Sequence, residues 1–214
     1  MTTPPTIGKI SAKDLGSICR ALASADPSIG KAYELYGAPP LWARDPSFAT
    51  LIQIILEQQV SLASARAAYE KLIEKVGEIT PGKVLALSDE EMKAAYFSRQ
   101  KAVYARELSR AVIERDLVIE ELHILSDEGV RESLMKVKGI GRWTSDIFLL
   151  MCLLRPDVMP VGDIALHQAW KDLAGLERRP ASAEFPSIAE RWRPYRSVAA
   201  RLLWHYYLSE RRRT

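Results

Sequence analysis

The chain has 214 residues, 48% of them hydrophobic and 27% charged, with a formal net charge of +3. That balance is globular rather than disordered, and the length suits one large domain or two small lobes. The longest apolar run, residues 147–154, is far too short to span a bilayer. The charge is uneven: residues 177–214 hold nine Arg against four Glu, a net of +5, which leaves the preceding part at −2. Such a basic segment suits either a polyanionic partner or a solvated helix face.

Residues 1–9 read as a loose tail without the apolar core of a signal peptide. Helical periodicity starts near Ala12 and runs to about Ala23. A second helix follows Asp26-Pro27, where Asp caps and Pro suits the first turn. Gly37-Ala38-Pro39-Pro40 breaks the chain, and Arg44-Asp45-Pro46 reads as the cap of a helix over 47–57. A turn at 58–61 leads to a helix over 62–76. Thr80-Pro81 and Ser88 start two short helices, the second with Glu91 in a capping box. Residues 100–114 make another helix, and Ser126-Asp127-Glu128 caps the next. An apolar helix over 143–154 follows, then one from Asp163 to about Ala174, and two more near 183–191 and 195–210. No alternating run or Asn-Gly turn argues for a sheet. The expectation is an all-α chain of about ten to twelve helices.

Cys19 and Cys152 stand in apolar surroundings and read as buried thiols of a reducing compartment. That places the protein inside the cell: cytoplasm or nucleoid in a bacterium, nucleus in a eukaryote. Two cysteines cannot supply the four ligands of a 4Fe–4S cluster, and the three His are too scattered for zinc. No resident cofactor is expected.

The stretch from Leu134 to Gln168 carries the chemistry. Leu134, Val137, Ile140, Trp143, Ile147, Leu150 and Leu154 recur at helical spacing, and Gly139 and Gly141 interrupt them. Glycine permits positive φ and close approach of another backbone. A helix restarting at Arg142 has N–H groups without intrahelical partners, and with its dipole it suits a phosphate oxygen. Lys136, Lys138 and Arg142 add positive charge. The plain alternative is an αα-turn with a glycine cap. Downstream, Pro160-Val161-Gly162 leads to Asp163, whose plain role is a helix N-cap.

V-K-G-I-G-R-W-T-S (137–145) followed by P-V-G-D-I (160–164) resembles the helix-hairpin-helix, Gly/Pro-rich loop, Asp superfamily of DNA glycosylases. G-I-G-R-W-T looks most like its alkylation-repair branch, the 3-methyladenine DNA glycosylase II family. L-I-Q-I-I-L-E-Q-Q-V-S, Leu51 to Ser61, and R-W-R-P-Y-R-S-V-A-A-R-L-L-W, Arg191 to Trp204, are similar to that branch's first core helix and last helix. The resemblance covers about residues 10 to 208.

The resemblance implies two helical lobes, 46–155 containing the hairpin and 1–45 joined to 156–214, with Asp163 facing the cleft between them. It implies a monomer that binds double-stranded DNA, touches no membrane and hydrolytically removes alkylated purines. Asp163 would be the catalytic carboxylate, stabilising a sugar cation and directing water. Trp143 and Trp204 match aromatic positions of the base pocket, which binds a cationic base by stacking and cation–π contact; for each the plain alternative is core packing. Tyr195 lies near Trp204 in sequence, and Ile147 replaces a second ring found in some members. Lys138, Gly139, Ile140, Gly141, Arg142 and Thr144 would hold phosphate, with room for a monovalent cation at the hairpin. Gln58, Gln59, Val60 and Ser61 match the intercalating loop, Gln59 or Val60 being the wedge; the plain alternative is an interhelical turn. Trp143 occupies the place of the Schiff-base lysine of strand-cleaving members, so a monofunctional enzyme is expected. Two other functions fit the same residues: a glycosylase for deaminated or oxidised bases, and a non-catalytic module that binds damaged DNA.

Overall fold

The computed structural model describes residues 8–213, with side chains described through residue 212. The described residues form α1 (Ala12–Ala25), α2 (Pro27–Tyr36), α3 (Phe48–Glu57), α4 (Leu62–Val76), α5 (Pro81–Ala86), α6 (Asp89–Ala94) and α7 (Arg99–Ile113). A 3-10 helix, Ile119–Ile124, leads to α8 (Asp127–Met135) and α9 (Arg142–Met151). Then follow α10 (Ile164–Ala174), α11 (Phe185–Ala189), a 3-10 turn at Glu190–Trp192 and α12 (Arg196–Arg213). No strand occurs among the described residues, as the all-α expectation required. None of these helices is long and apolar enough to cross a membrane.

Short polar side chains open most of the helices. Ser11, Ser47, Ser61, Thr80, Ser88, Ser98 and Ser126 each accept a backbone N–H of the first turn they precede, which satisfies donors that the helix cannot. Asp26 does so twice for α2. The cap of α3 is Ser47, not Asp45-Pro46. The apolar helix stops at Met151 rather than Leu154; Leu154 has φ +55, outside any helix. The last helix outruns its expected end at 210.

Two compact units divide the chain: residues 1–43 with 149–214, and residues 44–148. The boundaries expected from sequence lay at 46 and 155.

In the first unit α12 packs on α1, α2 and α10. Its buried Val198, Ala199, Ala200, Leu202 and Leu203 make the contact surface. Arg201 is buried among them without a carboxylate partner. Its guanidinium donates to three carbonyls: Leu41 at 2.9 Å, Ser197 at 3.0 Å and Leu150 at 2.7 Å. Leu150 lies in the last turn of α9, where a cation meets the negative end of the helix dipole. Burial pulls Arg201 down to about 10 and pushes the Cys19 thiol up to about 11. Asp26, besides capping α2, accepts the indole N–H of buried Trp192 at 3.0 Å, which packs edge-to-face on Trp170.

In the second unit α7 packs on α3, α5 and α6, and α3 on α4. Lys101 of α7 donates to the Leu56 carbonyl at 2.6 Å, closing the C-terminal end of α3. α7 also presents Tyr104 to the turn between α8 and α9. A Cβ built on Gly139 would stand 2.1 Å from the Tyr104 ring, and Gly139 has φ +95. Two independent constraints therefore demand glycine there: a left-handed backbone and an aromatic ring pressed against the Cα.

Gly139→Ala should cost about 1–2 kcal/mol for the backbone conformation and about 1–3 kcal/mol for overpacking. Adding Tyr104→Ala should recover the second part only, as read by urea unfolding of the single and double variants. Arg201→Met should lower stability by about 3–5 kcal/mol, because three carbonyls lose their donor in the interior. Arg201→Lys should recover little of this in the same measurement, since an ammonium cannot reproduce the planar fork.

Candidate functional site

The hairpin lies in the unit of residues 44–148. α8 ends at Met135, Val137 and Ile140 turn their side chains into the core, and the Ile140 N–H closes a turn on the Val137 carbonyl at 3.1 Å. α9 begins at Arg142, with the Gly141 carbonyl accepting the Ser145 N–H at 3.1 Å. Glycine thus takes the place that Ser, Thr or Asp holds before most of the other helices, and it offers no side-chain oxygen to the first turn. Among the described residues, the N–H groups of Gly139, Gly141 and Arg142 have no hydrogen-bond partner. Of the two freedoms that glycine permits, Gly141 does not use the positive φ. What its missing side chain leaves is room: a Cβ there would meet nothing within 4 Å.

Several residues assigned to DNA from sequence have side chains committed elsewhere. The Thr144 hydroxyl is buried and accepts from the Gln58 amide at 3.0 Å. Gln58 also donates to the Gly139 carbonyl at 2.9 Å. It is therefore a strut between the end of α3 and the hairpin, not part of a free loop. Ser61 is the N-cap of α4. Gln59, held at φ +56, and Val60, 45% exposed, are the two residues of that turn that project outward. The Arg142 guanidinium folds back to Asp146 at 3.3 Å and toward Glu128 at 3.9 Å. Lys136 and Lys138 stay exposed.

Asp146 was missed from sequence. It is wholly buried in α9, and Arg131 of α8 donates to it at 2.7 Å. Burial pushes its carboxyl up while Arg131 and Arg142 pull it down, and burial prevails. This charged clasp fixes α8 against α9 and so fixes the turn between them. The available signal was an Asp immediately before an unbroken apolar run. Next to it Ile147 is 2% exposed, a core residue, while Trp143 is half-buried.

Asp163 lies in the other unit. The Asp163 N–H donates to the Pro160 carbonyl at 3.3 Å, closing a turn in which Gly162 takes φ +87. That value is what a glycine supplies at the third position of such a turn. The carboxylate accepts from the Ala165 and Leu166 N–H groups at 3.0 and 3.2 Å, both on Oδ1. The N-cap expectation is met, and the carboxylate is fixed at the head of α10. One turn on, His167 is buried. Its Nδ1–H donates to the Pro180 carbonyl at 3.1 Å, its ring stacks on Phe185 at 4.2 Å, and its Nε2 is buried without a hydrogen-bond partner. Burial lowers its pKa, with Arg179 acting the same way and Asp163 opposing. Trp204 is 8% exposed and Tyr195 half-buried.

The basic segment is mostly spent internally. Arg178 pairs with Glu184, Arg193 with Glu190 and Asp157, and Arg196 with Asp157. Arg191 stacks over Trp170 at 5.3 Å, and Arg201 is buried. The polyanion surface expected from charge counting reduces to Arg179 and the end of α12. Among the described residues, no three His, Cys, Asp or Glu side chains gather as a metal site.

Known proteins agree with this arrangement. YfjP of Bacillus subtilis is 29% identical over 185 residues, 83% of this chain, and the chain spans 64% of that protein's length. DNA-3-methyladenine glycosylase 1 of Schizosaccharomyces pombe is 32% identical over 161 residues, 73% of this chain and 71% of that protein. The solved structure of a 3-methyladenine DNA glycosylase of the same yeast, in complex with abasic DNA, superposes with a TM-score of 0.82 at 28% identity, covering 88% of this chain and 95% of that one. The family model described as HhH-GPD superfamily base excision DNA repair protein matches residues 52–194, from α3 through the hairpin and Asp163, and the chain belongs to that superfamily.

Proposed function

We propose that this protein is a monofunctional DNA glycosylase, acting as a monomer inside the cell, that hydrolytically removes alkylated purines of the 3-methyladenine and 7-methylguanine kind. The observation that carries this is the opening of α9. Three N–H groups, at Gly139, Gly141 and Arg142, have no hydrogen-bond partner there among the described residues, beside exposed Lys138 and with open space over Gly141. A phosphate oxygen satisfies such donors and the positive end of the helix dipole together. The relatives named as DNA-3-methyladenine glycosylases support the choice of lesion.

A purine methylated on a ring nitrogen carries positive charge and leaves readily, so one carboxylate suffices. Asp163, held by two N–H donors at the head of α10, stabilises the oxocarbenium-like sugar and orients the attacking water. Its geometry needs no reorganisation during bond cleavage, because the cap bonds already fix the carboxylate. Half-buried Trp143 is the ring proposed to stack on the cationic base. The nucleotide must leave the helix to be reached, and Gln59 and Val60 are the residues proposed to fill the gap. No cofactor enters this scheme.

Asp163→Asn keeps a capping side chain, so it should fold and bind abasic-site DNA like the parent while releasing base at least ~10²-fold more slowly. Single-turnover release near the parental rate would remove Asp163 from the chemistry. Gly141→Val should fold, since nothing crowds the new side chain, yet bind damaged and undamaged DNA more weakly alike, because phosphate contacts carry no sequence information. Parental affinity in a folded Gly141→Val would refute the phosphate site. With Trp143 and no lysine at the start of α9, the product should be an intact strand bearing an abasic site, cut only after hot alkali. A borohydride-trapped protein–DNA adduct would show lyase chemistry instead.

A further inference from the structure

The loop between α10 and α11 is fastened on both sides of a single arginine. Arg178 makes a two-pronged pair with Glu184, at 2.9 and 2.7 Å, and Glu184 also accepts the Ala181 N–H at 2.7 Å. Pro180 gives its carbonyl to the Nδ1–H of buried His167. A carbonyl only accepts, so the proton sits on Nδ1 and the buried Nε2 is left as an acceptor without a donor. An unsatisfied buried nitrogen is unfavourable, and the contact it accompanies is the one that ties this loop to α10. Between the fastened Arg178 and Pro180 stands Arg179, exposed and without an ion pair among the described residues. It lines a groove of about 280 Å³ with Ile164 and Gln168 of α10, next to Asp163 in the chain. The groove's two carboxylates each have a partner: Asp172 accepts from Gln168 at 2.8 Å, and Glu210 accepts from the Tyr36 hydroxyl. Asp172 also lies two helical turns from Ile164, about 12 Å by helical rise.

Resting on the glycosylase function above, we propose that Arg179 grips a DNA backbone phosphate on the Asp163 side of the lesion, and that His167 is the positioning residue that holds Arg179 there. A guanidinium presented from a fastened loop loses less conformational freedom on binding than one on a mobile chain. A second phosphate clamp, in a different unit from the hairpin, would set the register of the strand against Asp163.

The test uses the full-length protein and a fluorescent duplex holding a tetrahydrofuran abasic-site analogue, titrated by anisotropy across a salt series, with base release from alkylated duplex measured in parallel. Arg179→Ala should weaken binding about 5- to 20-fold and lower the slope of log affinity against log salt by about 1, the signature of one lost phosphate contact. Base release at limiting protein should fall in step with the weaker binding. Arg179→Lys should restore the slope. Arg66→Ala, an exposed arginine of α4 paired to Glu70, controls for loss of charge and should leave the slope unchanged. His167→Ala should reproduce the Arg179→Ala slope, add nothing to it in the double variant, and be rescued by His167→Asn, whose amide N–H can replace Nδ1–H. Were His167→Ala to unfold, the Arg179 series would still decide the phosphate contact, and His167→Asn the positioning role. A parent that binds and excises while Arg179→Ala matches Arg66→Ala overturns this proposal alone. A parent that binds the duplex but releases no alkylated base overturns the glycosylase function while Arg179→Ala still reports on the contact. A parent that binds no DNA overturns both.

Discussion

An α-helix begins with N–H groups and ends with carbonyls that have no partner inside it, and a chain cut into many short helices carries that burden repeatedly. Here the starts are met by a run of small polar residues, from Ser11 to Asp163. Some of the ends are met by long cations that reach across: Lys101 to the Leu56 carbonyl of α3 and Arg201 to the Leu150 carbonyl of α9. The packing of each unit is arranged around these donations, because a buried polar group without a partner costs more than most apolar contacts return. α9 departs from the rule at its start. Gly141 stands where a capping side chain would, and the N–H groups left over have no partner among the described residues.

The same economy explains what holds the hairpin in place. The Gln58 amide ties the Gly139 carbonyl to the Thr144 hydroxyl, Tyr104 presses on the Gly139 Cα, and the Arg131–Asp146 pair locks α8 to α9. Burying Asp146 is unfavourable for its charge, which the upward push on its carboxyl records. The pair gains from the absence of water around it only because both oxygens are engaged. A backbone fixed in this way can present its N–H groups without losing conformational freedom when a ligand arrives, which is the advantage of preorganisation.

Charge follows a similar pattern. Nine arginines in residues 177–214 read as a polyanion surface, yet the folded unit gives most of them partners of its own: Asp157, Glu184 and Glu190, an indole face, and bare carbonyls. Net charge along a sequence cannot reveal which cations will be neutralised, because their partners come from positions as distant as Asp157 and Leu41. A cation that remains exposed between two fastened neighbours, as Arg179 does, is distinguishable only after the rest have been placed.

The sequence by itself determined the all-α class, the order of the helices, the hairpin and the Asp163 cap. Those features follow from local physics: apolar spacing every three or four residues, Pro and Gly at breaks, and short polar residues one position before a helix. It also carried the family, because the glycines, the Trp and the Asp lie close together along the chain. Tertiary structure alone decided which side chains remain available. Gln58 looked like part of an intercalating loop and is a strut. Thr144 and Arg142 looked like phosphate ligands, and their side chains are held by Gln58, Asp146 and Glu128. Gly141 and Gly139 looked alike, yet Gly141 is an unobstructed residue without a positive φ, whereas Gly139 is both left-handed and pressed by a ring from α7. Arg201 looked like surface charge and is a buried donor to three carbonyls. In each case the deciding partner lies many residues away, or the deciding quantity is empty space, and neither leaves a trace in the local pattern of the chain.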